Sequence, residues 1–185
     1  MKQYAQHLLS KLTLEEKIGM IHGAQLFQTA GVKRLGIPPL KMSDGPMGVR
    51  QEFFPSEWKA VGNQDDFVTY LPCNSAVASS WNRNIAYEVG SVLGEEARGR
   101  GKDIILGPGV NMKRSPLCGR NFEYFSEDPY LAGELAAAYI RGVQNWDVAA
   151  CVKHFAANNQ ETQRLWVDVE IDEESLREIY FPAFY

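Results

Sequence analysis

The chain has 185 residues, 45% of them hydrophobic, with 19 basic against 23 acidic side chains and a formal charge of −4. That length allows a sizeable core in one domain, and mild acidity without a basic or basic–aromatic stripe excludes a nucleic-acid partner. No run approaches the ~20 apolar residues that span a bilayer, and Met1 to Lys17 has no apolar signal core, so no membrane and a cytoplasmic location are expected.

In chain order, Thr13-Leu14-Glu15-Glu16 is a capping box that starts a short helix to about His22, with Leu14, Ile18 and Ile21 on one face. Pro38 to Met42 leads into a first strand that ends at Ser43-Asp44. Gln51 to Asp66 is polar and aromatic without periodicity and reads as a long loop. Phe67 to Leu71 is expected as a second strand. The stripe Ile85, Val89, Val92, Leu93, Ala97 predicts a helix over 84–98. Asp103 to Leu106 is a third strand, stopped by Gly107-Pro108-Gly109. Asp128-Pro129 supplies a cap and a first-turn proline for a helix with Leu131, Leu135, Ala138 and Val143 facing the core. Ala149 to Lys153 is a fourth strand, Trp166 to Ile171 alternates like a half-exposed strand, and Asp172 caps a last helix carrying Leu176, Ile179, Tyr180 and Ala183.

Strand–helix alternation with short connections points to parallel βαβ units in an α/β fold. About four such units are visible, whereas a complete (β/α)8 barrel takes ~250 residues. The expected architecture is therefore the N-terminal half of a TIM-type barrel, a single partial domain over residues 1–185. Cys73, Cys118 and Cys151 form no Cys-x-x-Cys motif and read as buried free thiols. His7, His22 and His154 are too scattered for a metal site, so neither metal nor cofactor is implied. Dinucleotide and P-loop glycine patterns are missing, as is a Gly-x-Ser-x-Gly elbow.

Three segments carry polar chemistry directly after strands, where parallel α/β sheets gather their ligand groups. They are Lys41-Met42-Ser43-Asp44-Gly45-Pro46, the stretch from Gly107 to Glu123 with Leu117-Cys118-Gly119-Arg120-Asn121-Phe122-Glu123, and Ala150-Cys151-Val152-Lys153-His154-Phe155-Ala156-Ala157-Asn158-Asn159-Gln160-Glu161. Alone, Asp44-Gly45-Pro46 is ordinary turn chemistry, and Lys153 and His154 would face opposite sides of a regular strand.

Together, in this order, the segments closely resemble the catalytic barrel of family 3 glycoside hydrolases of the β-glucosidase type. The resemblance implies that Asp44, Arg120, Lys153, His154 and Arg164 bind the non-reducing sugar, with Lys153 and His154 brought together by unusual peptide geometry. Glu123 is expected as a partner of a cation rather than an acid. A neutral histidine and a lysine would both donate to sugar oxygens. The N-acetylglucosaminidase branch carries Lys-His-Phe-Pro-Gly-His-Gly at this corner, whereas Lys-His-Phe-Ala-Ala-Asn-Asn here favours the glucosidase branch.

Retaining glycosidases need a nucleophile and an acid/base about 5–5.5 Å apart. In this branch they come from a later Ser-Asp-Trp-like strand and a second domain, and neither segment occurs in these 185 residues. No catalytic residue is thus assigned. The resemblance implies a fragment of a retaining β-glycosidase acting on terminal β-D-glucosyl residues of a β-glucoside or oligosaccharide. The alternative is a non-catalytic half-barrel serving as a carbohydrate-binding or assembly module. The open sheet edges of a half-barrel favour self-association or pairing with a chain that carries the missing half.

Overall fold

The computed structural model describes residues 2–62 and 67–185. They form two compact units, one of residues 2–42 with 51–62 and one of residues 43–50 with 67–185.

The first unit starts with two helices, α1 (Lys2–Lys11) and α2 (Leu14–Met20). The capping box forms as expected: the Glu16 amide donates to Thr13 Oγ1 at 3.2 Å, and the Thr13 amide donates to Glu16 Oε2 at 2.9 Å. The α2 stripe does not seed a core. Leu14, Ile18 and Ile21 are all exposed, and neither helix buries a residue. An antiparallel pair follows, β1 (Gly23–Gln25) with β2 (Gln28–Thr29), too short to have left a periodicity in the sequence. The stretch 51–62 is irregular, and its Phe53 and Trp58 rings meet Phe27 edge-on or tilted at 5.5–6.2 Å. Asn63 to Asp66, part of the same expected loop, lie outside the described residues.

The second unit holds the α/β architecture of the N-terminal half of a TIM-type barrel. Its sheet has the order β3 (Met42–Asp44), β4 (Ile104–Leu106), β5 (Ala149–Ala150), with β4 and β5 parallel. The amides of Ala149 and Cys151 donate to the Asp103 and Ile105 carbonyls at 2.8 and 2.9 Å. Regular pairing stops at Ala150 rather than running to Lys153, and one further bridge forms between Gly109 and Lys153. Helices α3 (Asn74–Ser79), α4 (Arg83–Gly99) and α5 (Pro129–Gln144) cover the sheet core. Asp128 caps α5 as expected, its carboxylate accepting from the Tyr130 amide at 3.0 Å. The core is built from Val77, Ala86, Leu93, Ile105, Leu135 and Tyr139. Helices α4 and α5 approach backbone to backbone: a Cβ on Gly142 would sit 2.2 Å from the Tyr87 carbonyl oxygen. None of the described helices is long and apolar enough to cross a membrane.

Three expectations are corrected here. Phe67 to Leu71 forms no strand: Phe67 and Tyr70 point outward, and the segment is held by separate anchors instead of a ladder, Leu71 on the Met47 carbonyl, Thr69 on the Glu96 carboxylate and Arg100 on the Phe67 carbonyl. Trp166 to Ile171 is not a strand either, because among the described residues no strand lies beside it and Trp166 is 86% exposed. The thiols are not buried. Cys151 is exposed beyond the edge strand β5, and Cys73 and Cys118 are half-buried. The last helix does form, as α6 (Glu173–Ser175) continuing into a wider turn over Leu176–Tyr180, with Asp172 capping it and Tyr180 and Ala183 buried.

Candidate functional site

β3 delivers Asp44 to the end of the sheet. Gly45, at φ +110°, turns the chain there so tightly that a Cβ would lie 2.0 Å from the Gly48 carbonyl oxygen, which only glycine tolerates. The turn puts the Gly45 amide on Asp44 Oδ1 at 2.9 Å and returns Arg50, whose guanidinium lies 3.3 Å from Oδ2. The third partner comes from the segment after β5: Lys153 Nζ sits 2.6 Å from Asp44 Oδ1, although 109 positions separate the two residues. Burial alone would raise the Asp44 carboxyl, but Lys153, with the Gly45 amide and Arg50, outweighs it and holds the group below the usual carboxylate range.

Past β5, the Lys153–His154 and Phe155–Ala156 peptides are cis, and the Lys153 and His154 side chains join one cluster. Asn111, 3% exposed, is the clamp on this corner. Its Oδ1 accepts the His154 amide at 2.7 Å, and its Nδ2 donates to the Asn158 carbonyl at 3.2 Å. The His154 ring lies 2.9 Å by Nε2 from Arg120 Nη2 and 3.2 Å by Nδ1 from the Tyr124 hydroxyl. Burial, then Arg120 and Lys153, push the imidazole down to about 4, so it is neutral at pH 7.

Arg120 comes from the loop after β4. Its Nε donates to Glu123, and the other oxygen of that carboxylate faces Lys153 at 3.6 Å. Glu123 is 4% exposed and thus serves as the shared counterion of two cations. Burial would lower the Arg120 guanidinium, yet Glu123 more than compensates and raises it. From behind, Asn74 Nδ2 donates to the Glu123 carbonyl at 2.7 Å, while Ser75 bonds the Asn121 carbonyl and receives Lys113 Nζ at 2.6 Å. The short helix α3, absent from the sequence reading, is therefore what anchors the Arg120–Glu123 turn.

Four of the five residues singled out by sequence, Asp44, Arg120, Lys153 and His154, meet in this one network. The fifth does not enter it directly. Arg164 stays at the rim, its side chain 45% exposed and 3.6 Å from Glu161, which in turn lies 3.8 Å from Arg120. Glu123 has the cation-partner place expected for it. Arg50, Asn111, Tyr124 and Asn158 belong to the cluster without having been singled out. Asn111 had a signal, an amide two residues past the Gly-Pro-Gly strand stop; Tyr124 had none. The outcome is a site of directional donors and acceptors with its charges compensated internally, suited to a neutral polyhydroxyl ligand.

Comparison with known proteins gives one consistent answer. Residues 39–185 match the family model described as the glycosyl hydrolase family 3 N terminal domain. The chain is 51% identical over 177 residues to the thermostable beta-glucosidase B of Acetivibrio thermocellus, covering 96% of this chain and 23% of that protein. It is 48% identical over 173 residues to an exo-alpha-(1->6)-L-arabinopyranosidase of Bifidobacterium longum, covering 94% and 23%. Among solved structures, beta-glucosidase 3B from Thermotoga neapolitana in complex with alpha-D-glucose superposes with a TM-score of 0.86 at 42% identity, over 97% of this chain and 27% of that one. The chain thus spans about a quarter of the length of these relatives.

Proposed function

This chain belongs to glycosyl hydrolase family 3, and on that premise we propose that it is the glycone-holding part of a retaining β-glycosidase that acts on terminal non-reducing β-D-glucosyl residues. Asp44, Lys153, His154 and Arg120 bind the sugar hydroxyls, and Arg164 braces the rim through Glu161. The nucleophile and the acid/base belong to polypeptide beyond these residues. The observation that carries this reading is the meeting of Asp44 with Lys153 at 2.6 Å and of Arg120 with His154 at 2.9 Å, from the end of one strand and the segments that follow two others. Asp44 accepts from two adjacent hydroxyls, and the cations donate to others. Because both carboxylates, Asp44 and Glu123, are already paired to cations, the site stays near neutral and favours an uncharged sugar.

Asp44→Ala tests the reading. In a complete enzyme carrying this segment, kcat/KM for an aryl β-D-glucoside should fall by a factor corresponding to several kcal/mol. An unchanged kcat/KM per folded molecule would leave the cluster purely structural. The 185-residue chain alone should bind D-glucose weakly and show no turnover; retaining hydrolysis by the pure chain would overturn the assignment of the nucleophile elsewhere. A specific observation supports a second substrate reading: one relative is named for an arabinopyranosidase activity, so aryl α-L-arabinopyranosides belong in the same assay. Partner pairing is part of the proposal, with the outer edge of β5, next to exposed Cys151 and Phe155, as the edge that a complementary strand would cover.

A further inference from the structure

We infer that Asn111, Tyr124 and Arg120 lock His154 as the neutral ring with its proton on Nδ1 and its Nε2 lone pair held by Arg120, so that a ligand hydroxyl can meet this nitrogen only as a donor taking the place of Arg120, never as an acceptor. The argument is a closed count of donors and acceptors. A guanidinium can only donate. Arg120 Nη2 stands 2.9 Å from Nε2, so Nε2 must present its lone pair; a proton there would set two N–H groups against each other.

The other ring nitrogen then carries the hydrogen, and its neighbours are arranged to take it. The Asn111 amide cannot be flipped, because its Oδ1 accepts the His154 amide while its Nδ2 donates to the Asn158 carbonyl. That oxygen lies 3.4 Å from Nδ1. The Tyr124 hydroxyl, 3.2 Å from Nδ1, has the Asn158 carbonyl 3.4 Å away for its own proton, which leaves an oxygen lone pair for Nδ1–H. Every group is satisfied with one proton arrangement. The charged groups facing the ring work the same way: Arg120 and Lys153 oppose a second proton, Glu123 and Asp44 favour it, and the cations together with burial prevail. Asn111 and Tyr124 are positioning residues in this scheme, since they act on a ligand only through His154.

The inference deepens the glycone-site reading but is measured without sugar. The whole 185-residue chain, labelled with ¹⁵N in its histidine rings, gives the tautomer directly from long-range ¹H–¹⁵N correlations; exposed His7 and His22 serve as internal references. Expected for His154 is protonated Nδ1, bare Nε2 and no titration between pH 8 and about pH 5, where an unperturbed histidine with pKa about 6.5 has already charged. Arg120→Gln should let the Nε2–H form appear and move the titration upward. Asn111→Asp keeps the accepting oxygen, should retain Nδ1–H with a raised titration, and serves as the check if Arg120→Gln unfolds. An Nε2–H ring in the unsubstituted chain, a His154 titration at the ordinary histidine value of about 6.5, or a tautomer indifferent to Arg120→Gln overturns the inference. Adding D-glucose is a separate arm: no response with Nδ1–H intact removes the sugar reading and leaves the tautomer standing.

Discussion

Arg34 with Glu16 in the first unit and Arg120 with Glu123 in the second are the same chemical pair in two settings. Arg34 grips Glu16 through two parallel bonds, at 2.7 and 2.5 Å, which is the better fork geometry. Both partners there remain open to water, and the pairing lowers the carboxyl of Glu16 chiefly through the Arg34 bond, then the Thr13 cap. Arg120 reaches Glu123 through a single nitrogen, but its carboxylate is almost fully buried and must also serve Lys153. Geometry would rank the first pair higher; consequence ranks the second. Water solvates the Glu16 ions whether or not they are paired, while the buried Glu123 depends on Arg120 and Lys153 for its compensation.

That contrast predicts an order of effects. Glu123→Ala should cost most, about 3 kcal/mol or more, because Arg120 and Lys153 lose a common buried counterion; chemical denaturation of the variant chain checks it, and a loss under 1 kcal/mol would mean that water reaches the cluster freely. Next comes Gly142→Ala, where a Cβ would lie 2.2 Å from the Tyr87 carbonyl and force α4 from α5. Overpacking of this kind costs roughly 1–3 kcal/mol, visible in the same unfolding curves and with no change in the His154 tautomer.

Acid should distinguish the two regions further. His154 is held near 4 in the folded chain against about 6.5 unfolded, so the unfolded state binds more protons between those values and stability falls as pH drops through that window. Asp44, held low mainly by Lys153 against the opposing effect of burial, adds its loss below the ordinary carboxylate pKa. An unfolding midpoint that rises on acidification from pH 7 to 4.5 would contradict the His154 prediction, and one that rises further below pH 4 the Asp44 prediction. The smallest effect is expected from Glu16→Ala, which frays α2 locally and leaves the unfolding of the second unit unmoved; amide exchange in α2 reports it.

Local chemistry was legible wherever it closed within a few residues. The Thr13 box, the Asp128 cap and the Asp172 cap could be read because donor and acceptor lie two or three positions apart. The stripe over 84–98 had enough length for a period to show, and the apolar run to Leu106 was marked by the Gly-Pro-Gly stop after it. Phe67 to Leu71 and Trp166 to Ile171 had strand-like composition, but a strand also needs a neighbour, and composition contains no information about that. Leu14, Ile18 and Ile21 likewise formed a helical stripe that no other element covers in its unit.

At the site, the motifs named Asp44, Arg120, Lys153 and His154, and their order in the chain identified the family. Sequence by itself thus determined which groups are present and at the end of which strand each stands. It also marked Asp44-Gly45-Pro46 as turn chemistry, while the need for glycine at position 45 lies in the fold, where a Cβ would meet the Gly48 carbonyl. Only the tertiary structure decided which groups touch: that Lys153 spends a donor on Asp44, that Glu123 answers two cations at once, and that His154 faces a guanidinium and must accept. Protonation, tautomer and ion-pair strength depend on distances and on exclusion of water, and both are set by segments more than thirty residues apart in the chain.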